Sequence, residues 1–215
     1  AVLSPDEQEV GVVLVDIGGG TTDITIYSEG SIVHTAVLAL GGNHLTHDIA
    51  IGLGAPLHEA EEIKHNFGVA MTSMVDEDEM IEVPSVGGRN NRTMKKQVLA
   101  SIIEDRFREI FELIAHEIEK THFHTLMASG VVITGGTCIM PGADQLASQV
   151  LNLPVRVGFP ENISGLREMI YSPKYATSVG LVRYGITSNQ GKLHFAGDDT
   201  NLFNKVSRRM KDWMQ

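Results

Sequence analysis

The chain has 215 residues and a formal net charge of −10 at pH 7, with 42% apolar residues and a single cysteine. No apolar run approaches the ~20 residues that a membrane-spanning helix needs, and no secretory signal is recognisable, so we expect a globular protein of a reducing compartment. The negative charge argues against nucleic acid as a partner, because nucleic-acid phosphates require a basic surface.

The first strongly patterned segment is a glycine-rich turn between two predicted strands. Residues 10–15 form a nearly continuous apolar run, as a strand buried on both faces requires, and residues 24–27 alternate β-branched side chains. The turn between them is Asp16-Ile-Gly-Gly-Gly-Thr-Thr-Asp23. A plain hairpin is the alternative, but it needs only one or two residues with positive φ, and this turn contains far more.

This turn has the composition of a phosphate-binding site. Its glycines lack a Cβ, so their backbone N–H groups can turn toward an anion and approach it closely. Asp16 is placed to hold Mg²⁺ through water, because that ion keeps most of its hydration shell. A Walker loop is excluded since no Gly-Lys-Ser/Thr follows, and a Rossmann site is disfavoured since the turn leads into a strand. The predicted phosphate-binding residues are Gly18, Gly19, Gly20, Thr21 and Thr22.

The segments that follow predict an α/β arrangement. Residues 28–31 predict a hairpin turn and residues 32–40 a third strand. In residues 95–120 the apolar side chains recur at helical spacing, which predicts a long amphipathic helix. Also predicted are helices at 43–53, 57–66, 142–151 and about 174–187, strands at 80–83, 130–134 and 154–157, and an irregular stretch over most of 71–91.

Two kinds of polar side chain in this region are candidates for binding. Glu61 and Lys64 share one face of a predicted helix at i,i+3 spacing, and a solvated ion pair is the alternative. Two histidine pairs suggest a metal site, His44/His47 and His122/His124. Neither pair has a cysteine or a carboxylate set at ligand spacing, so ordinary histidines are favoured.

A second glycine motif lies in the C-terminal half. Val131-Val-Ile-Thr-Gly-Gly-Thr137 precedes Met140-Pro-Gly142, which predicts a strand, a tight turn and a helix that begins near Pro141. Cys138 lies beside this turn, and we expect it to pack in the core.

The last residues predict a linker and an amphipathic helix. Residues 188–201 are polar and contain glycine, which is typical of a linker. In residues 202–215 the apolar side chains share one helix face and the local charge is +3, which predicts weak, reversible binding to an anionic membrane surface. Packing onto the chain's own domain is the alternative. The predicted membrane-contacting residues are Leu202, Phe203, Lys205, Val206, Arg208, Arg209, Met210, Trp213 and Met214.

The two glycine motifs resemble those of a known superfamily. Residues 16–23 resemble the second phosphate loop of the actin, Hsp70 and sugar-kinase superfamily, and residues 131–142 are similar to its adenosine loop. The resemblance implies an actin-like (ribonuclease H-like) α/β ATPase lobe. Such a lobe has a mixed sheet with flanking helices and an inserted α+β subdomain. The implied cofactors are ATP and Mg. In Hsp70-like and MreB-like proteins a Glu and a Lys three residues apart, as Glu61 and Lys64 are, contact ribose and adenine. The implied nucleoside-binding residues are Glu61, Lys64, Gly135, Gly136 and Thr137.

Further segments resemble the FtsA family of actin-like bacterial division proteins. They are residues 40–50, 82–89, 106–110 and 175–181. This resemblance implies a protein that anchors FtsZ filaments to the cytoplasmic side of the bacterial inner membrane at the division site and helps to assemble the division ring. The implied partners are the FtsZ C-terminal tail, further copies of the chain in actin-like filaments, other division proteins and anionic lipids.

The FtsA resemblance also implies a division into subdomains. Subdomain 2A would comprise residues 1–44 and 116–187, and subdomain 2B residues 45–115, followed by the linker and the terminal helix. Family members bind the acidic FtsZ tail on subdomain 2B, where Arg89 and Arg92 are candidates for the contact; a local salt-bridged surface is the alternative.

The superfamily resemblance leaves other functions open. Because actin-like ATPases have two lobes with nucleotide between them, we expect this chain to be the C-terminal half of a longer protein, with half of a nucleotide site and weak or no ATPase activity. The alternatives are an MreB-like filament protein, an Hsp70-like chaperone and a sugar kinase.

Overall fold

A computed structural model describes residues 1–85, 87, 90–121, 128–161 and 170–189 of the chain. The chain divides into two compact units, residues 1–180 and 181–215. In chain order the elements are α1 (Pro5–Val10), β1 (Val12–Ile17), β2 (Thr22–Ser28), β3 (Ser31–Leu38), α2 (Gly42–Leu53), α3 (Leu57–Phe67), β4 (Met80–Val83), β5 (Arg92–Lys95), α4 (Lys96–Lys120), β6 (Val131–Thr134), α5 (Ala143–Leu151), β7 (Val155–Val157) and α6 (Ala176–Asn189). In the second unit the described residues, 181–189, are the C-terminal part of α6.

The first unit is built on a five-stranded mixed sheet in the order β3-β2-β1-β6-β7. β1, β2 and β3 are antiparallel neighbours, whereas β6 runs parallel to β1 and β7 parallel to β6. The apolar run of β1 lies at the centre of this sheet and is buried on both faces, as its composition predicted. The ends of β1 and β6 therefore lie side by side, and the glycine motif that follows each strand begins at the same edge.

The hairpin between β2 and β3 has the predicted two-residue turn. Glu29 has φ +51° and Gly30 has φ +70°. Two consecutive residues with positive φ form the type of turn whose twist matches that of the flanking strands.

The long helix α4 forms much of the core beneath the sheet. It runs over 25 residues and packs against α2 and α5, with the Phe107 and Phe111 rings stacked 5.6 Å apart. Most of its predicted apolar face is buried as a stripe from Leu99 to Ile118, whereas Val98 is exposed. Within the described residues, no helix is both long and apolar enough to cross a membrane.

Two short elements were not predicted. α1 begins with a capping box, in which the Ser4 hydroxyl accepts the Glu7 N–H and the Glu7 carboxylate accepts the Ser4 N–H, and Pro5 is its first residue. That signal is present in the sequence. β5 pairs only with β4, in a separate two-stranded sheet, and its sequence Arg-Thr-Met-Lys has no apolar alternation that could have predicted it.

Several predicted boundaries differ from those observed. β1 begins at Val12 because Val10 belongs to α1, and α5 begins at Ala143 because Gly142 has φ +85°, outside the right-handed helical region. α6 continues to Asn189 and so includes the first two residues of the predicted linker. The rest of that linker and the predicted amphipathic helix lie outside the described residues.

Candidate functional site

The two glycine motifs meet at one backbone carbonyl. The Gly18 carbonyl accepts hydrogen bonds from the Thr137 hydroxyl and from the Gly42 N–H, both at 2.9 Å. The neighbouring Gly19 carbonyl accepts the Asn43 N–H at 2.7 Å. The free amides at the start of α2 thus bind the first glycine turn itself.

The same bonds determine where the amides of the glycine turn point. In a trans peptide the C=O and the following N–H point in opposite directions. Because the carbonyls of Gly18 and Gly19 face α2, the N–H groups of Gly19 and Gly20 are directed away from α2, and both glycines are exposed. No described atom lies within 4 Å of the place where a Cβ on Gly20 would stand. An anion can therefore approach these two amides closely.

The second glycine motif lies directly against the end of β1. Gly135 has φ +93°, and a Cβ there would lie 2.4 Å from both Asp16 Oδ1 and the Ile17 carbonyl oxygen. Gly41 is equally close to the first motif, since its Cβ would lie 2.6 Å from the Gly18 carbonyl oxygen. Only glycine fits at these two positions, so the two motifs and the start of α2 pack as one unit.

These elements border a cleft of about 500 Å³. That volume is within the range of small-molecule sites, about 300–1,000 Å³. Five of the predicted nucleotide-binding residues line it: Gly19, Glu61, Lys64, Gly136 and Thr137. The structure therefore brings together residues from both glycine motifs and from α3, as the superfamily resemblance implied.

Lys64 and Glu61 lie in a compact polar network at the base of the cleft. The Lys64 ammonium donates to Glu61 Oε2 at 2.7 Å, to the Thr46 hydroxyl at 2.8 Å and to the Gly42 carbonyl at 3.1 Å. The Lys64 side chain is only 10% exposed, so its three N–H groups are satisfied within the protein. Burial raises the pKa of Glu61, but hydrogen bonds from Lys64 and Thr46 outweigh it and leave that pKa lower than usual.

Asp16 lies beside the cleft and is not part of its lining. Its carboxylate accepts a hydrogen bond from the Thr177 hydroxyl at 2.5 Å and faces Gly135. A carboxylate at this strand end has the chemistry that Mg²⁺ prefers.

The two threonines of the first motif have different environments. Thr21 is exposed and donates to the Asp23 carboxylate at 3.3 Å. Thr22 is fully buried, and its hydroxyl donates to the Leu40 carbonyl at 2.8 Å. β2 begins at Thr22 and turns this side chain into the core, so the structure does not bring its hydroxyl to the cleft.

The histidine pairs show no metal site among the described residues. His44 Nδ1 accepts the Gly41 N–H at 3.2 Å at the start of α2, and His47 is exposed. His122 and His124 lie outside the described part of the chain, within which no cluster of three or more His, Cys, Asp or Glu suits a metal ion.

The predicted partner and membrane residues are only partly described. The Arg92 guanidinium donates to the Leu53 carbonyl at the C-terminal end of α2. Arg89 and all the predicted membrane-contacting residues between 202 and 215 lie outside the described residues.

Eight further residues line the cleft and were not among the predicted site residues: Gly42, Asn43, His65, Gly68, Ile139, Met140, Pro141 and Lys174. Asn43 follows the Gly41-Gly42 pair, and His65 adjoins Lys64 in the same helix, so their positions beside predicted residues could have indicated both. Lys174 directly precedes the FtsA-like segment 175–181, but only the tertiary structure shows that it reaches the cleft.

Comparison with known proteins agrees with this geometry. The family model of the cell division protein FtsA matches residues 13–180. The chain belongs to the FtsA family. The FtsA of Pseudomonas aeruginosa is 40% identical over 220 residues, which cover 100% of this chain and 53% of that protein. The FtsA of Bacillus subtilis is 41% identical over 184 residues, covering 86% of this chain and 40% of that protein. The chain thus spans about half the length of the FtsA relatives it matches.

Solved structures show the fold. The structure of MreB5 of Spiroplasma citri bound to ADP has a TM-score of 0.66 at 20% identity and covers 86% of this chain and 56% of that one. A PilM–PilN type IV pilus biogenesis complex has a TM-score of 0.62 at 17% identity and covers 85% and 48% of the two chains. The predicted actin-like α/β fold and the predicted FtsA family are both confirmed.

Proposed function

We propose that this chain is the nucleotide-binding half of an actin-like division protein, and that its cleft binds the nucleoside of ATP. The observation that carries the proposal is that Gly19, Glu61, Gly136 and Thr137, from three separate segments, line one cleft. The MreB5 structures of similar fold were solved with ADP and with AMPPNP, which supports the same ligand class here.

The residues have distinct roles in this proposal. The amides of Gly19 and Gly20 contact the phosphates, since they point away from α2, and the exposed Thr21 lies next to them. Gly18 shapes the turn, because its N–H donates to the Thr21 carbonyl at 2.9 Å. Asp16 holds Mg²⁺ through water. Glu61 and the turn at 135–137 contact the nucleoside, while Lys64 positions Glu61. Nucleotide then acts as a conformational ligand that changes the contacts between copies in a filament.

Nucleotide titration of the 215-residue chain tests the proposal. Ligand-observed NMR with ADP and with MgATP detects weak binding, and we expect saturable binding of both. Asp16→Ala should remove the effect of Mg²⁺ on ATP affinity and leave ADP binding without Mg²⁺ unchanged. Absence of saturable binding to the wild-type chain would refute the nucleotide site, and an unchanged Mg²⁺ effect in Asp16→Ala would refute the metal assignment alone.

We propose further that the intact protein anchors FtsZ filaments at the cytoplasmic face of the inner membrane. Membership of the FtsA family and the amphipathic pattern of residues 202–215 support this role. One short helix binds a membrane weakly, so attachment needs several copies joined in a filament. Subdomain 2B, residues 45–115, is the proposed site for the FtsZ tail, and other division proteins are further proposed partners.

Co-sedimentation with anionic liposomes tests the membrane role. The full chain should sediment with the liposomes, while a chain that ends at residue 201 should not. Trp213→Glu should weaken binding without shortening the chain, and Lys95→Gln, which lowers the net charge by the same single unit on β5, serves as the control. Equal sedimentation of the full and shortened chains would refute the anchor.

Titration with a peptide of the FtsZ C-terminal tail tests the partner site. Arg89→Glu and Arg92→Glu should each weaken binding at least about tenfold, whereas Arg108→Glu on α4 should not. Because Arg92 also donates to the Leu53 carbonyl, its variant must show unchanged thermal unfolding before its affinity is interpreted. Unchanged affinity in both variants would remove these arginines from the interface.

A further inference from the structure

A single hydrogen bond joins the proposed magnesium-binding carboxylate to α6. The Thr177 hydroxyl donates to Asp16 Oδ2 at 2.5 Å, although the two residues are 161 positions apart in the chain. Asp16 lies near the end of β1, and Thr177 is the second residue of α6. A hydroxyl that donates to a carboxylate forms a charge-assisted hydrogen bond, which is stronger than a bond between neutral groups. The bond therefore restricts rotation of the Asp16 carboxylate.

The other carboxylate oxygen lies against the second glycine motif. A Cβ on Gly135 would stand only 2.4 Å from Asp16 Oδ1, so the glycine backbone closes that side. The carboxylate is thus held between the Gly135 backbone and the Thr177 hydroxyl. It forms no salt bridge with any basic side chain in the described part of the chain. Its negative charge is therefore not neutralised by an ion pair and can attract a hydrated cation.

The backbone that carries Thr177 is fixed in place. The Pro173 carbonyl accepts hydrogen bonds from the Gly135 N–H and from the Thr134 hydroxyl, both at 3.3 Å. Pro173 and Ala176 are buried, so the start of α6 is anchored without the Thr177 hydroxyl. A donor at a fixed position orients its acceptor, and hydrogen bonds from outside the ligand set orient metal ligands in this way.

A purely structural bond between α6 and the sheet is the alternative, and the exposure of Thr177 argues against it. An exposed hydrogen bond competes with water, so its contribution to stability is small. The exposed Thr187 of α6 shows the arrangement that threonine commonly adopts in a helix, since its hydroxyl donates to the Arg183 carbonyl one turn earlier at 3.0 Å. The Thr177 hydroxyl instead donates to a carboxylate on another element.

From this arrangement we propose that Thr177 is a positioning residue for the magnesium site. Its hydroxyl holds Asp16 Oδ2 and keeps the carboxylate in one orientation, so that the water shell of Mg²⁺ meets an acceptor that is already ordered. The inference rests on the nucleotide and magnesium assignments proposed above, and it requires no contact between Thr177 and the nucleotide. It predicts that Thr177 affects ATP affinity only when both Mg²⁺ and the Asp16 carboxylate are present.

ATP titrations with and without Mg²⁺ test the inference on the 215-residue chain. The Mg²⁺ effect is the ratio of the ATP Kd in EDTA to the ATP Kd in excess Mg²⁺. In Thr177→Val we expect this ratio to fall about fivefold and the Kd in EDTA to change less than about twofold, since the lost hydrogen bond is made to a charged group. Thr177→Ser, which retains the hydroxyl, should keep the ratio of the wild type. Thr187→Val removes a hydroxyl that bonds within α6 and is the matched control.

A double-mutant cycle shows whether Thr177 acts through Asp16. In excess Mg²⁺, Thr177→Val should raise the ATP Kd about fivefold in the wild-type background and less than about twofold in an Asp16→Ala background, where the oriented carboxylate is absent. Equal losses in both backgrounds would show that Thr177 acts independently of Asp16 and would overturn the inference.

The outcomes separate this inference from the proposed function. A clear Mg²⁺ effect in the wild type that is unchanged in Thr177→Val would overturn the inference alone. Equal losses of ATP affinity with and without Mg²⁺ would also overturn it, because they would indicate a general loosening of the fold. Absence of a Mg²⁺ effect in the wild type would overturn the metal assignment together with this inference. Absence of ATP binding to the wild-type chain would overturn the nucleotide site as well.

Discussion

The Thr137 hydroxyl donates a hydrogen bond of 2.9 Å to the Gly18 carbonyl, although the two residues are 119 positions apart in the chain. The bond joins the turn after β1 to the turn after β6. Since the Gly42 N–H binds the same carbonyl, the orientation of the Gly18–Gly19 peptide depends on contacts from two distant segments.

Removal of this bond should loosen the first glycine turn. In Thr137→Val the Gly18 carbonyl retains the Gly42 N–H, so we expect a loss of about 1 kcal/mol in the free energy of unfolding and a several-fold weaker affinity for ADP. Urea unfolding and ADP titration measure the two effects. Thr35→Val on the exposed face of β3 is the control and should change neither. Identical behaviour of the two variants would show that the bond contributes nothing.

Gly135 should tolerate no side chain. Gly135→Ala combines a positive φ with a Cβ 2.4 Å from two oxygen atoms, so we expect a loss of about 3 kcal/mol or failure to fold. Gly20→Ala has open space around its Cβ and should change stability by less than about 0.5 kcal/mol. Urea unfolding of the two variants provides the measurement. A Gly135→Ala protein as stable as Gly20→Ala would contradict the close packing of the two motifs.

The Glu7–Arg156 ion pair should make stability depend on pH. Hydrogen bonds of 2.7 and 2.8 Å from Arg156 hold the pKa of Glu7 below its usual value of 4.5. A carboxyl with a lowered folded-state pKa stabilises the protein above its unfolded-state pKa, and the contribution disappears as pH falls through the folded value. Arg156→Met should therefore cost about 1 kcal/mol more at pH 7 than well below pH 4, where the hydrogen bond of 2.8 Å from Arg156 to the Val2 carbonyl still remains to be lost.

Unfolding by urea across that pH range measures the effect of Arg156→Met. Lys95→Met, an exposed substitution on β5 with the same charge change, is the control and should show the pH dependence of the wild type. A constant difference between Arg156→Met and wild type at all pH values would mean that the ion pair does not stabilise the fold.

Cys138 should be unreactive in the folded protein. Burial raises the pKa of its thiol to about 12, with a smaller effect from the nearby Asp16 charge, and the thiol donates to the Gly135 carbonyl at 3.1 Å. Alkylation requires an exposed thiolate. At pH 8 we expect iodoacetamide to label Cys138 only as fast as the protein opens, so labelling should accelerate steeply in urea. Rapid labelling without denaturant would show that the 3₁₀ turn around Cys138 is open.

Much of the fold follows from local patterns. The apolar run of β1, the turn at 28–31 and the helical spacing of α4 each depend on neighbouring residues, so the sequence alone predicted them. β5 could not be predicted, because Arg92–Lys95 becomes a strand only by pairing with β4. The capping box of α1 was a local signal that could have been used.

The sequence alone predicted two glycine turns and a helix with Glu61 and Lys64 on one face, because glycine turns and helical spacing depend on a few neighbouring residues; the actin-like site remained what the resemblance implied. Only the tertiary structure decided which side chains have free donors in the cleft. Thr22 faces the core, the Lys64 ammonium is surrounded by three acceptors, and Lys174 reaches the cleft from the segment before α6. Hydrogen-bond satisfaction depends on residues far apart in the chain, and no local pattern contains that information.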